Sequence, residues 1–316
     1  MIEADVVIVG GGPAGSSCAW TLKQAGMDVR ILDKQQFPRH KLCAGWITPK
    51  VWRLLKVHPR EYPHGLTRFD TLHFYIRSRH IPLPTRQYAI RRYEFDDWLL
   101  QRAGVSVICH KVHTIIRDGE FFIIDGQFRC RYLVGAGGSS CPVYRTFFRD
   151  IHPRTKQAQI TTLEQEFKYR WHDSNCHLWF FEQELPGYSW YVPKKGGYLN
   201  IGIGAKVDGL SARGETLHYH WNLFAEKLRG RGLVRDTLLT PKGYTYFLRQ
   251  KTATYQMNNA FIIGDAAGLA TLDMGEGIGP AVHSGLRVAR AISSAKPYRL
   301  RLYLPLSAQG ILFPWL

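Results

Sequence analysis

Two glycine-rich turns, each following a short apolar run, carry the clearest chemistry in this sequence. Val6-Val7-Ile8-Val9 leads into Gly10-Gly11-Gly12-Pro13-Ala14-Gly15, and Phe261-Ile262-Ile263 leads into Gly264-Asp265-Ala266-Ala267-Gly268. In the first turn, Gly10 permits a tight strand-to-helix corner and Gly12 lets the backbone approach a pyrophosphate. Gly15 lets helix and strand pack without an intervening Cβ. The N–H groups around Pro13 and Ala14, with the positive end of the helix dipole, then face the anion. A second strand, Val29-Arg30-Ile31-Leu32, ends at Asp33-Lys34, with Asp33 lying 23 residues beyond Gly10. That is near the spacing of an acid gripping a ribose hydroxyl. The second turn sets the Asp265 carboxylate where a ribityl chain would lie, so the pair points to a flavin dinucleotide rather than to nicotinamide alone.

The stretch Phe37-Pro38-Arg39-His40-Lys41-Leu42-Cys43-Ala44-Gly45 is a basic loop expected beside the cofactor. Its cations would lower the pKa of the Cys43 thiol, which makes Cys43 a candidate site residue. The alternative is a small packed side chain. Tyr188 and Trp190, in Tyr188-Ser189-Trp190-Tyr191-Val192-Pro193, either line an apolar chamber or serve as sheet-core aromatics. His40 is a proton relay or a solvated loop histidine. The other five cysteines, Cys18, Cys109, Cys130, Cys141 and Cys176, form no CxxC pair and no metal-ligand spacing. They read as buried structural residues, and no metal is expected.

These residues need elements to hold them. At 316 residues the chain has room for about two domains. An α/β dinucleotide domain is expected from 1–66, 91–154 and 256–300, with a helix over 14–25 and a helix near 92–100 burying Phe95 and Leu99. Asp118-Gly119 and Asp125-Gly126 read as type I′ hairpin turns in a β-meander leading to a strand at 132–135. The last helix presents Val282, Leu286, Ala289 and Ile292 on one face. The aromatic, alternating stretches 67–90 and 155–255 read as a second sheet over the flavin face, forming a substrate chamber. Residues 301–316 form a short tail.

Forty-two basic against 25 acidic residues give a net charge of +17. This suits a phospholipid surface or a phosphorylated substrate, and simple solubilisation is the alternative. The basic residues are dispersed and no nucleic-acid module is legible, which argues against nucleic acid. No apolar run reaches membrane-span length, and the N-terminus reads as mature, without a signal peptide. The expected location is a reducing cytoplasm, either free or peripheral to the membrane.

Four motifs together resemble the geranylgeranyl reductase family of flavoproteins, within the wider group that includes para-hydroxybenzoate hydroxylase. They are Gly10 to Gly15, Pro38-Arg39-His40-Lys41-Leu42-Cys43, the Tyr188 to Pro193 segment, and Gly264 to Gly268 with Gly275-Glu276-Gly277-Ile278-Gly279. The resemblance implies a Rossmann-like FAD-binding domain with an inserted mixed β-sheet substrate domain. It implies reduction of isolated carbon–carbon double bonds in prenyl or other lipid-like chains by hydride from reduced FAD. By position, Gly10, Gly12, Pro13, Ala14, Gly15, Asp33 and Lys34 would hold the ADP half, Arg39 and Arg92 the ribose or pyrophosphate, and Asp265 the ribityl chain. Gly277 and Ile278 would offer N–H groups to the pyrimidine edge, where a helix start favours the anionic reduced flavin. Cys43, Tyr188 and Trp190 would stand at the reacting centre.

Two departures stand out. Gly137 occupies the place of an aspartate usual in the hydroxylases, and Cys43-Ala44-Gly45 replaces a cysteine followed by two glycines. The chain also ends early for this family, which makes it either a short member or a truncated one, with a tail at 311–316 expected to cap the core. No second nucleotide fold is legible, so the electron donor is a transient NAD(P)H or an acidic carrier protein. An FAD mono-oxygenase or halogenase is the alternative activity. A non-catalytic flavin-binding remnant is the third.

Overall fold

The four β-branched residues at 6–9 become the inner half of strand Ile2–Val9, which pairs in parallel with Val29–Asp33 on one side and Phe128–Gly135 on the other. Val6, Val7, Ile8 and Val9 are all buried, so both faces of the strand are covered, hence the unbroken apolar run. The computed structural model describes residues 1–77, 79–250, 254–298, 300 and 306–313. The chain divides into two units: Met1–Arg39, Tyr93–Arg154 and Phe247–Ser307 form one, and His40–Arg92, Thr155–Tyr246 and Ala308–Leu316 the other. Among the described residues no helix is long and apolar enough to cross a membrane.

The first unit is built on a sheet whose main path runs Gln256–Met257, Ala260–Ile262, Phe128–Gly135, Ile2–Val9, Val29–Asp33 and Ser106–Cys109. Two of its helices, Pro13–Gln24 and Ile278–Ser293, cross so closely that a Cβ on Gly285 would stand 2.2 Å from Ala14 O. Val282, Leu286, Ala289 and Ile292 are all buried, as their spacing predicts. So are Phe95 and Leu99 on helix Arg92–Ala103. Asp125 and Gly126 both take positive φ, and Gln127 N–H closes the turn on Ile124 O at 3.0 Å, the type I′ geometry. The other turn differs. Asp118 pairs with Phe121, so the two central residues are Gly119 and Glu120, and only Gly119 has positive φ; this is not a type I′ turn.

The second unit is a mixed eight-stranded sheet ordered Lys242–Phe247, Gln159–Lys168, Tyr198–Lys206, Gly187–Lys194, Cys176–Phe180, Thr67–Ile76, Arg79–Ala89 and Trp46–Ile47. One face carries Leu163, Tyr191, Ile201 and Ile203 against helix Leu217–Gly230, whose Leu217, Trp221, Phe224 and Leu228 recur every three or four residues. Thr216 caps that helix by accepting the Tyr219 N–H at 3.3 Å. The unit boundaries differ from the sequence expectation at 40–66. Trp46–Ile47 pairs with Arg79–Ala89, and Ile90 N–H reaches Gly45 O at 2.9 Å, which ties that stretch to the second sheet. Residues 308–313 also join it, because Thr85 and Gln87 donate to Ile311 O and Gly310 O. Ile311 is buried, whereas the expected cap at 314–316 lies outside the described residues.

Candidate cofactor site

In the first unit the Gly10 corner works as the spacing implies. Gly10 has φ +113°, and a Cβ there would stand 2.4 Å from Ala136 O. A Cβ on Gly15 would lie 1.9 Å from Gly10 O, so strand and helix touch backbone to backbone. Gly12 is the N-cap of helix Pro13–Gln24, with no side-chain cap and no acid in the first turn. The opening N–H groups of that helix have no intrahelical acceptors and are those an anion takes. Arg39 stands beside them: its Nη2 is 3.6 Å from where a Gly12 Cβ would be, and Asp96, fully buried, pairs with it at 3.5 Å. Asp33 accepts the Gly11 N–H at 2.8 Å on one oxygen and the Gln35 N–H at 3.0 Å on the other, so it also braces the loop. Lys34 is exposed.

The Gly264 turn lies against the same helix. Gly264 has φ +59°, and its missing Cβ would meet Ala14 Cβ at 3.1 Å. Gly277 is the N-cap of helix Ile278–Ser293, again without a side-chain cap or an acid in the first turn. Asp265 Oδ1 is 3.4 Å from the place of a Gly277 Cβ, which sets the carboxylate beside that second helix start. Gly137 opens the 138–140 turn, where a Cβ would press on Cys141 Cα at 3.2 Å; the position is tight for the aspartate it lacks. Two uncapped helix starts, a guanidinium at the first and a carboxylate at the second, with glycines wherever a Cβ would intrude, fit an extended dinucleotide with a polar chain at its far end.

In the second unit the structure places Cys43 within a buried polar row on the sheet face opposite the apolar core. Glu164 and Asn200 hold its peptide from both sides: the Cys43 N–H donates to Glu164 Oε1, and Asn200 Nδ2 donates to Cys43 O at 3.3 Å. Trp190 is a support rather than a liner. It is 5% exposed, its indole N–H donates to Asn200 Oδ1 at 2.7 Å, and its ring fills the space over Gly202, where a Cβ would come within 2.2 Å. Tyr188 is half-buried and stacks on Phe180 at 5.0 Å. Among the basic neighbours expected to act on the thiol, Lys41 lies over the Tyr244 ring and Arg39 pairs with Asp96; His40 is exposed. The thiol accepts from Gly45 N–H at 3.3 Å, Ala44 is half-buried, and Arg92 is buried at the head of its helix.

Glu164 was not foreseen. It is 3% exposed, and burial pushes its carboxyl up to about 7 against the pull of Lys194 and Lys41. Two residues along, burial also works on Glu166, but Lys194 at 2.6 Å and Arg91 at 2.9 Å overcome it and hold that carboxyl below its usual range. The two acids are thus shifted in opposite directions, a separation that suits one of them to carry a proton. Arg154 was not foreseen either; it donates to Ser139 O, Asp265 O and Ala266 O. Cys18, Cys141 and Cys176 are buried with raised pKa, and Cys130 is pushed up to about 12 by burial. Cys109 departs from the expectation: it is exposed, on the edge strand of its sheet.

The family model for FAD-dependent oxidoreductases matches residues 5–98. An uncharacterized protein of Methanosarcina barkeri is 30% identical, aligned over 93% of this chain and 76% of its own. A menaquinone reductase of Mycobacterium tuberculosis is 28% identical over 94% of this chain and 78% of its own. A geranylgeranyl bacteriochlorophyll reductase-like structure from Thermoplasma acidophilum superposes with a TM-score of 0.80 at 20% identity, covering 93% of this chain and 79% of that one. Geranylgeranyl reductases are among the further relatives, and flavin-dependent halogenases share the fold. The chain belongs to the FAD-dependent oxidoreductases of the geranylgeranyl reductase type.

Proposed function

We propose that this protein saturates a carbon–carbon double bond in a polyprenyl chain. The relatives' named substrates, menaquinone and geranylgeranyl diphosphate, have such a chain in common. FAD, when bound and reduced, supplies the hydride. In this reading the ADP half lies on Gly10, Gly12, Pro13, Ala14, Gly15 and Asp33, with Arg39 and Arg92 on the phosphates or ribose. Asp265 takes the ribityl chain, Gly277 and Ile278 offer N–H groups to the ring edge, and Gly137 keeps the neighbouring turn narrow.

The observation that carries the proposal is the buried Glu164 carboxyl gripping the Cys43 peptide. Addition across an isolated alkene needs a proton as well as a hydride, and burial, by disfavouring its anion, raises the Glu164 carboxyl to about 7, where it can both hold and release a proton near neutral pH. We assign that proton to Glu164, which regains it from solvent. Cys43 and Tyr188 stand at the reacting centre, and Trp190 with Asn200 fixes the Cys43 peptide. The electron donor is a nicotinamide or an acidic carrier protein, and the net charge of +17 suits contact with anionic lipid.

The test is anaerobic. Protein loaded with FAD and reduced with dithionite is mixed with geranylgeranyl diphosphate or menaquinone, and the products are weighed by mass spectrometry. Saturated product with return of the oxidised flavin spectrum is expected. Product that forms only when oxygen is admitted would establish the mono-oxygenase or halogenase alternative instead, and bound flavin without any reoxidation by either polyprenyl compound would leave the non-catalytic one.

A further inference from the structure

We propose that Arg154 is a positioning residue for the flavin end of the cofactor, locking the 138–140 turn onto the Gly264–Ala267 turn. These turns leave neighbouring parallel strands, Phe128–Gly135 and Ala260–Ile262, at their carboxyl ends, where open α/β sheets bind ligands. The ladder between them reaches Ile263 N–H on Gly135 O at 3.0 Å, just short of the turns. Arg154 spans the gap: Nη1 donates to Ser139 O, and Nη2 to Ala266 O at 2.7 Å and Asp265 O at 3.3 Å. A planar fork of five donors can serve three carbonyls on two segments at once, which an ammonium on a flexible stem does poorly.

The guanidinium is itself held in place. It lies 3.6 Å from the Tyr144 ring centroid and 4.8 Å from that of Phe247. Tyr144 OH donates to His152 O at 2.9 Å, so the ring beneath the guanidinium is tied to the segment that carries Arg154. The peptide of Asp265 is thereby fixed, and with it the direction in which its carboxylate leaves the turn towards the Gly277 helix start. The inference rests on the reading that Asp265 meets the ribityl chain. The corner at Gly10–Gly15, which that reading gives to ADP, has its own supports in Asp33 and Asp96.

This separation gives the test. The full-length protein and its R154M, R154K and D265N variants are titrated with FAD and, separately, with ADP, while circular dichroism and melting report the fold. R154M is expected to weaken FAD by about 10- to 100-fold while ADP affinity stays within about 2-fold, as suits loss of charge-assisted bonds acting on one end of the ligand. R154K should recover part of the loss, and it carries the test if R154M does not fold. Equal weakening of FAD and ADP would make Arg154 a general structural residue and overturn the proposal, as would no change in either. D265N separates the two ideas: if it weakens FAD but not ADP while R154M does neither, the Arg154 inference alone falls. If D265N leaves FAD unchanged, the reading of the Asp265 turn falls first.

Discussion

In the first unit the groups our proposal offers to a ligand are largely backbone: N–H at the uncapped Gly12 and Gly277 helix starts, the first set on a corner where Gly10 and Gly15 leave no room for a Cβ. In the second unit the backbone is the thing being held, and side chains do the holding. Glu164, Asn200 and, behind them, Trp190 fix one peptide at Cys43. A backbone-built site fails when a side chain is added, because nothing can rotate away. A site built from side chains fails when one is taken away or its charge state changes. The two units should therefore respond to opposite kinds of substitution.

The largest effect is expected from Gly15→Ala. Its methyl carbon would stand 1.9 Å from Gly10 O, and neither backbone can yield without parting strand from helix. We expect loss of about 3 kcal/mol of stability and of measurable FAD binding, read by chemical denaturation and flavin fluorescence. A well-folded G15A that binds FAD normally would mean that the first unit is as adaptable as the second.

Glu164→Gln comes next. In single-turnover alkene reduction it should be slower by about 10²- to 10⁴-fold with FAD affinity unaltered, the range general acids supply. It also has a pH signature. The folded carboxyl titrates near 7, well above its unfolded range, so between about 4.5 and 7 the folded state binds more protons than the unfolded one. Wild-type stability therefore falls as pH rises through that window, relative to the variant, by of the order of 3 kcal/mol. Melting temperatures of the pair at pH 5 and pH 8 check the sign; a constant difference would remove Glu164 as a proton carrier.

Trp190→Phe is the mildest. It keeps most of the ring over Gly202 but leaves Asn200 Oδ1 without its indole donor. About 1 to 3 kcal/mol of stability should go, together with a change in the alkylation rate of Cys43. That rate is best measured with Cys109 replaced by serine, because Cys109 is exposed. An unchanged rate would detach Trp190 from the Cys43 peptide.

The same contrast explains what was readable in advance. Gly10, Gly12, Gly15 and Asp33 lie within one βαβ unit, and Gly264 and Asp265 follow their strand directly, so spacing along the chain reports spacing in the fold. Arg154 instead meets carbonyls at 139, 265 and 266, and Asn200 meets Cys43 from 157 residues away. No local pattern marks either. A weak signal existed for Glu164: alternation in strand Gln159–Lys168 puts Thr162, Glu164 and Glu166 on the face opposite Leu163, and acids at that spacing on a strand with buried residues on both faces ask for partners. The Asp118-Gly119 turn misled because a favoured dipeptide was read without knowing the strand register, which moved the corner by one residue.

The crossing of Gly285 with Ala14 has a consequence for biosynthesis. Helix Pro13–Gln24 is translated before the helix it must pack against, Ile278–Ser293, with about 250 residues between them. Until then a nascent chain can display the Gly10 corner but not the Asp265 turn. Assembly of the complete cofactor cradle therefore waits for the second of the two helices to be translated.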